Sequence, residues 1–310
     1  MNDIANSKAA VVDKLVIIGA GLIGSSVARA AKQYCAAKSI IIADQNKAVL
    51  DEAQALAIAD GYFDDAGEAV QDADLVILAV PVGAMASVGE YIAAHLKSGS
   101  IVSDVGSVKN SVLLALAPII SDHVHLIPGH PVAGTEKSGP SAGFASLFDG
   151  RWCILTPPDG VDAAACSTLK AFWEQLGSTV EVMSAPHHDL VLAITSHVPH
   201  LIAYNIVGTA NDLETVTRSE VIKYSAGGFR DFTRIAASDP TMWRDVFLNN
   251  KEAVLEMLGR FSEDLTALQR AIRWEDGDAL FELFSRTREI RRSIIDAGQD
   301  ENAPDFGRKH

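Results

Sequence analysis

Apolar positions follow one plan up to about residue 184 and another beyond it. In the first part, short β-branched runs at residues 14–18, 39–43, 74–80, 100–103 and 125–127 alternate with helically spaced segments such as 25–32 and 110–120. Runs without interleaved polar residues suit strands covered on both faces, as in a parallel sheet. Strands alternating with helices predict a doubly wound arrangement. Two further strands, 152–156 and 179–183, flank an amphipathic helix at 162–176. Beyond residue 184 only the helical period remains, over 188–210, 219–224, 241–274 and 277–297. The expected fold class is therefore α/β. A Rossmann-type doubly wound sheet in residues 1–184 precedes an all-α domain in residues 185–310, whose last residues, 298–310, read as a polar tail.

The turn after the first strand reads Gly19-Ala20-Gly21-Leu22-Ile23-Gly24. In a dinucleotide fold, Gly19 permits the tight turn, Gly21 lets the backbone approach a pyrophosphate, and Gly24 allows the helix to pack closely on the strand. Leu22 and Ile23 lie in the same turn. The second strand ends at Asp44, twenty residues after Gly24, where an acid can accept from the ribose hydroxyls. A carboxylate there repels a 2′-phosphate, and Gln45-Asn46 offer no arginine to receive one, so NAD is expected rather than NADP. The alternative for Asp44 is a turn or helix-capping residue. Ligands of such sheets bind beyond the carboxyl ends of the strands, which places Val80, Pro81, Ser107 and His130 on the cofactor side.

Residues 129–139, Gly-His-Pro-Val-Ala-Gly-Thr-Glu-Lys-Ser-Gly, read as a loop that carries His130, Glu136 and Lys137. Catalytic groups concentrate on loops held by rigid elements. The helical half has its own polar set. His197, His200 and Tyr204 share one helix face by spacing, and Pro199 should kink that helix and re-aim His200. His188 and His197 read as satisfied core or interface residues. A zinc site finds no support in an H-E-x-x-H pattern or a cysteine set, so no metal is expected. Arg230 and Arg234, after Gly227-Gly228, suit recognition of a carboxylate. Arg230 more simply pairs with Asp231, and Arg234 remains open between the two roles.

Composition narrows the partners. With 310 residues, 48% of them apolar, the chain suits two ordinary globular domains. A formal charge of −14 argues against nucleic acid or an anionic membrane as partner. The longest unbroken apolar runs are too short to span a bilayer, and no signal sequence precedes the first strand, so a cytoplasmic protein is expected. Cys35, Cys153 and Cys166 form no disulfide or metal pattern.

Taken together, G-A-G-L-I-G, D-V-G-S-V-K, G-H-P-V-A-G-T-E-K-S-G, H-D…S-H-V-P-H and G-F-R-D-F-T-R-I-A…D-P-T-M-W-R resemble the prephenate/arogenate (cyclohexadienyl) dehydrogenase family of tyrosine biosynthesis. The resemblance covers residues 14–295 and implies an NAD-dependent oxidative decarboxylation of prephenate, arogenate or both. It implies that His130 takes the proton of the ring hydroxyl as hydride leaves, and that Ser107 contacts the same hydroxyl and the histidine. It further implies that Arg234 binds a substrate carboxylate, His200 and Trp243 line the pocket, Glu136 stands near its mouth, and the helical domain forms a homodimer. Two alternatives carry different expectations. A β-hydroxyacid dehydrogenase or imine reductase would use a lysine or aspartate of the helical domain, and a non-catalytic NAD-binding sensor would not need His130, Ser107 and Arg234 together.

Overall fold

The computed structural model describes residues 9–135, 137–217 and 227–296, and the chain divides into two compact units, 1–254 and 255–310. The first unit opens with β1 (Val12–Ile18), α1 (Leu22–Gln33), β2 (Ala37–Ala43), α2 (Lys47–Ala55), β3 (Gly61–Phe63), α3 (Ala66–Ala69) and β4 (Leu75–Leu78). It continues with α4 (Met85–Ile92), β5 (Ile101–Asp104), α5 (Asn110–Leu116) and β6 (His125–Leu126). These six strands pair in parallel in the order β3-β2-β1-β4-β5-β6. The order reverses between β1 and β4, which opens a crevice at their carboxyl ends.

Successive residues of a strand face opposite sides, so the sheet carries two cores. Leu15, Ile17, Ile42, Leu75 and Ile77 face the alanines of α1 and the aromatic residues Phe148, Phe172 and Trp173. Val16, Ile18, Val76, Leu78 and Val102 face Met85, Ile92, Val112 and Leu116, and Trp243 and Val246 join that side. Small residues let α1 approach the sheet closely. A Cβ on Gly24 would stand 2.0 Å from the Gly19 carbonyl oxygen, and Gly19 itself has φ 101°.

A second, three-stranded sheet follows, from β7 (Gly129–Pro131), β8 (Trp152–Leu155) and β9 (Thr179–Val182), with α6 (Ala163–Gln175) between the last two. The stretch 129–139 is thus not loop throughout, because its first three residues pair antiparallel with β8, His130 opposite Ile154. Glycine and proline are poor strand formers, and the partner lies more than twenty residues away, so local pattern does not reveal the pairing. Strand β3, only three residues long, escapes the pattern for the same reason of length.

The helices after residue 184 depart from expectation in three places, one of which is that the segment opening at Gly227-Gly228, expected to be irregular, is helical over Gly227–Thr233. Helix α7 (Ala185–Leu192) runs through a π-helical turn, Ala193–His197, into α8 (Val198–Thr217). Pro199 lacks an N–H and crowds the carbonyl four residues before it, and the wider turn placed just ahead relieves both. The residues 185–212 are long and apolar enough to cross a membrane by length and composition, a point that a search for unbroken apolar runs overlooks. Leu192, Ala193, Val198 and Ala203 of this stretch are buried within the first unit. After α9 (Gly227–Thr233), the continuous helix expected over 241–274 is divided at Asn250 (φ −120°, ψ 35°) into α10 (Pro240–Asn249) and α11 (Lys251–Arg273). The segment 219–224 lies outside the described residues.

The second unit comprises the rest of α11 and α12 (Gly277–Asp296), joined by a turn in which Glu275 has φ 56°. Its described surface is unusually apolar, with Leu255, Ile272, Trp274, Phe281, Phe284 and Ile290 all exposed.

Gly24→Ala forces its Cβ into backbone that cannot yield without moving the turn. The expected loss of unfolding free energy is about 1–3 kcal/mol, measurable by urea denaturation, and an unchanged midpoint would refute the close contact.

Candidate active site

The floor of the site is a buried ion pair. Asp104 ends β5 and Lys109 follows five residues later, their side chains 1% and 0% exposed. Burial draws the carboxyl pKa up and the ammonium pKa down, and each partner opposes that drift in the other. Lys109 Nζ donates to the Asp104 carboxylate and, over 2.7 Å, to the Gly129 carbonyl. Asp104 in turn accepts from Gly129 N at 3.2 Å and Gly106 N at 2.8 Å. Both backbone groups of Gly129 are therefore held by the pair, directly beside His130.

His130 is 7% exposed. Its Nδ1 lies 2.8 Å from His188 Nε2, and His188 Nδ1 lies 2.8 Å from Asp189 Oδ1. Asp189 also accepts from the backbone N–H groups of Lys109 (2.8 Å) and Asn110 (2.9 Å), at the start of α5. No hydrogen bond to His130 Nε2 is formed among the described residues. Burial, first of all, and then the neighbouring His188, Lys109 and His197 push the His130 pKa well below the usual histidine value, so the ring is neutral near pH 7. Burial likewise lowers His188, against the pull of Asp189.

A polar chain continues into the helices. Asn250 Nδ2 donates to the Asp189 carbonyl at 2.8 Å and lies 3.1 Å from His197 Nδ1. Burial lowers the His197 pKa to about 4, so its Nδ1 is free to accept from Asn250. The remaining proton then belongs on Nε2, which meets no partner at full hydrogen-bond geometry, although the Ser107 backbone is near enough to raise the pKa. Trp243, buried on α10, stacks on His200 at 3.7 Å between ring centroids and meets His197 edge-on at 6.0 Å. His200 Nδ1 donates to the Ser196 carbonyl at 2.8 Å, a group at the π-helical turn. Burial lowers the His200 pKa, and the positive charge of Arg234 adds to the effect. Arg234 itself opens a short 3-10 turn after α9 and is exposed.

On the nucleotide side, helix α1 begins at Gly21 without a side-chain cap, and a Cβ on Gly21 would meet no atom within 4 Å. Open space above an uncapped helix start fits a pyrophosphate. Leu22 is buried and Ile23 half-buried, the latter packed against the core. Asp44 accepts from Ala20 N at 2.9 Å and from Asn46 N at 2.8 Å. It thus braces the glycine turn, and each oxygen keeps a lone pair for a further donor. Val80 and Pro81 follow β4, Ser107 follows β5, and His130 follows β6, which brings all four to the carboxyl edge.

The structure thus gathers His130, Ser107, His200, Trp243 and Arg234 in one connected region of the first unit. The Ser107 hydroxyl makes no hydrogen bond to His130, and Glu136 lies outside the described residues. Arg230 contacts Asp231 at 3.5 Å on the surface. Among the described residues no group of three or more His, Cys, Asp or Glu is arranged to hold a metal. Sequence reasoning passes over Asp104, Lys109, Asp189 and Asn250, and treats His188 as core. The adjacent His188-Asp189 pair, and an acid and a lysine bracketing Val-Gly-Ser-Val, are the signals that could have marked them.

Comparison with known proteins points to one family. Residues 27–182 match the family described as prephenate dehydrogenase, nucleotide-binding domain, and residues 184–286 match prephenate dehydrogenase, dimerization domain. The cyclohexadienyl dehydrogenase of Zymomonas mobilis is 45% identical over 280 residues, 90% of this chain and 95% of that one. The prephenate dehydrogenase of Bacillus subtilis is 33% identical over 91% of this chain and 76% of its own. A crystal structure of prephenate dehydrogenase from Aquifex aeolicus with hydroxyphenyl propionate and NAD+ superposes with a TM-score of 0.85, at 34% identity over 91% of this chain and 98% of that chain.

Lys109→Met leaves the Asp104 carboxyl buried without its partner. The expected cost is about 3–5 kcal/mol of folding stability, read by chemical denaturation, and a loss below 1 kcal/mol would show that the pair does not brace the fold.

Proposed function

The chain belongs to the prephenate dehydrogenase family, and from that membership we propose how its own residues carry out the NAD-dependent oxidative decarboxylation of prephenate, arogenate or both. The observation that carries the proposal is the state of His130. It is buried at the carboxyl edge of the sheet and neutral, with one ring nitrogen engaged and the other left to accept.

NAD, when bound, supplies the hydride acceptor. Gly19, Gly21, Leu22, Ile23 and Gly24 would hold its pyrophosphate, Asp44 its adenosine ribose, and Val80 and Pro81 would flank it. With a carboxylate at Asp44 and no arginine in Gln45-Asn46 after it, NAD is preferred over NADP. His130 Nε2 accepts the proton of the ring hydroxyl while the hydrogen on the same carbon leaves as hydride. The C–O single bond becomes C=O, in conjugation with the carbon that bears the ring carboxylate. The bond to that carboxylate then breaks, carbon dioxide departs, and the electron pair it leaves behind completes the aromatic ring. Aromatisation makes the step irreversible, so the protein has to position and polarise rather than drive. Ser107 orients the hydroxyl, Arg234 grips a carboxylate, and His200 and Trp243 shape the wall, with Glu136 near the entrance.

The family's dimerization domain supports a homodimer, and the exposed apolar side chains of α11 and α12 supply a surface for it. We place the functional boundary between nucleotide-binding and helical domains at residue 184. Three free cysteines fit a reducing cytoplasm.

Mixing the protein with NAD and prephenate, or with NAD and arogenate, should raise absorbance at the NADH band. His130→Asn should retain NAD binding while kcat falls on the order of 10²–10⁴-fold, and full turnover would refute the base. Arg234→Gln should raise KM for the dianionic substrate roughly tenfold to a hundredfold, the loss of one charge-assisted contact. An unchanged KM would remove Arg234 from the site.

A further inference from the structure

We propose that His188, anchored by Asp189, is the positioning residue that keeps the proton of His130 on Nδ1 and so leaves Nε2 as the atom that accepts from substrate. The inference rests on the reading of His130 as proton acceptor and adds what makes it one.

The argument runs from the carboxylate outward. Asp189 can only accept, so the 2.8 Å contact requires the His188 proton on Nδ1. A neutral His188 then presents a lone pair at Nε2, and the 2.8 Å contact to His130 requires the His130 proton on Nδ1. Were His188 charged, both of its nitrogens would donate and His130 would have to turn its acceptor inward, away from substrate. Burial of His188, whose side chain is 0% exposed, disfavours that state. One tautomer of His130 is thus selected by hydrogen bonds two residues deep.

The anchor is itself over-determined. Asp189 is tied to the start of α5 by two backbone N–H groups, and its own carbonyl accepts from Asn250. Among the described residues, the charged and titratable groups near His130 are Asp104 and Lys109 from the β5 side, His188 and Asp189 from α7, His197 from the π-helical turn, and Cys153 on the paired strand β8. Among these only His188 bonds to the His130 ring. When Nε2 takes the substrate proton, the positive charge that forms is met at Nδ1 by the His188 lone pair, and beyond that by the Asp189 carboxylate. No proton need pass along the chain.

Side-chain length makes the test specific. Glutamine at 188 can set its amide oxygen where Nε2 now accepts from His130, but loses Asp189. Asparagine reaches Asp189 but leaves His130 Nδ1 without an acceptor. Leucine does neither. If His188 acts through His130, His188→Gln keeps kcat within roughly tenfold of the parent, whereas His188→Asn and His188→Leu fall on the order of 10²-fold. NAD affinity by fluorescence titration and KM should stay within a few-fold in all three. A merely structural tether for α7 gives the reverse order, Asn above Gln, and that order overturns the proposal. Nitrogen-15 spectra of the histidine side chains provide the second reading: the parent should show His130 with Nδ1 protonated, and an Nε2-protonated ring overturns it. A fully active His130→Asn would instead defeat the proton-acceptor reading on which the proposal rests. Loss of turnover in His130→Asn with full activity in His188→Leu would defeat the positioning role of His188 alone.

Discussion

The constraint on which everything else rests is that a full positive and a full negative charge are enclosed between the sheet and the strand that carries His130. The side chains of Lys109 and Asp104 are closed off from solvent, so they depend on each other and on nearby backbone groups. The backbone of Gly129, between Asp104 and His130, supplies both a donor and an acceptor. That requirement fixes where β7 begins. It also fixes the segment Val105–Val108 that bends between the two charged residues, and with it Ser107. A purely apolar floor would hold the same volume with less demand on geometry, but nothing in it would specify the direction of the chain at residue 129.

From that floor outward, the site is a series of polar groups, each positioned by the last. His130 bonds His188, which bonds Asp189, whose backbone meets Asn250, which meets His197. Trp243 then covers His197 and His200, and the Arg234 charge is felt at His200. Burial holds the four histidines neutral for one physical reason, the cost of an imidazolium far from water. Neutral rings have a defined donor and a defined acceptor, so the network has a direction that charged rings would lack. The π-helical turn before Pro199 belongs to the same logic, since it frees the Ser196 carbonyl for the His200 side chain.

Most of the architecture is legible in the sequence because it depends on local pattern. Apolar runs mark β1, β2, β4 and β5, glycine spacing marks the turn at Gly19 to Gly24, and the helical period after residue 184 marks the remainder. Strand β7 is hidden because its residues disfavour strands and its partner is distant. The break at Asn250 is hidden because the apolar helical period continues across the weak stop signal of Asn249-Asn250, while the bonds that the Asn250 side chain makes there reach distant residues 189 and 197. His130, His200, Arg234 and Trp243 are singled out as candidates by motif resemblance, and the structure brings them into one region. His188 is the instructive case. Its burial was foreseeable from an apolar setting, but burial alone does not distinguish a ring that fills space from one that hands its lone pair to another ring.

The pairing of β7 with β8 has one more consequence. Side chains of a strand alternate between faces, so the direction of the His130 imidazole is encoded in the register that sets it opposite Ile154. The described residues between the two strands have packing duties of their own, with Phe148 fully buried against the sheet, but the register is set by the ladder. A slip of a single position within the ladder would invert the direction of the ring. The orientation of His130 is thus held by the one part of this region where error is all-or-none.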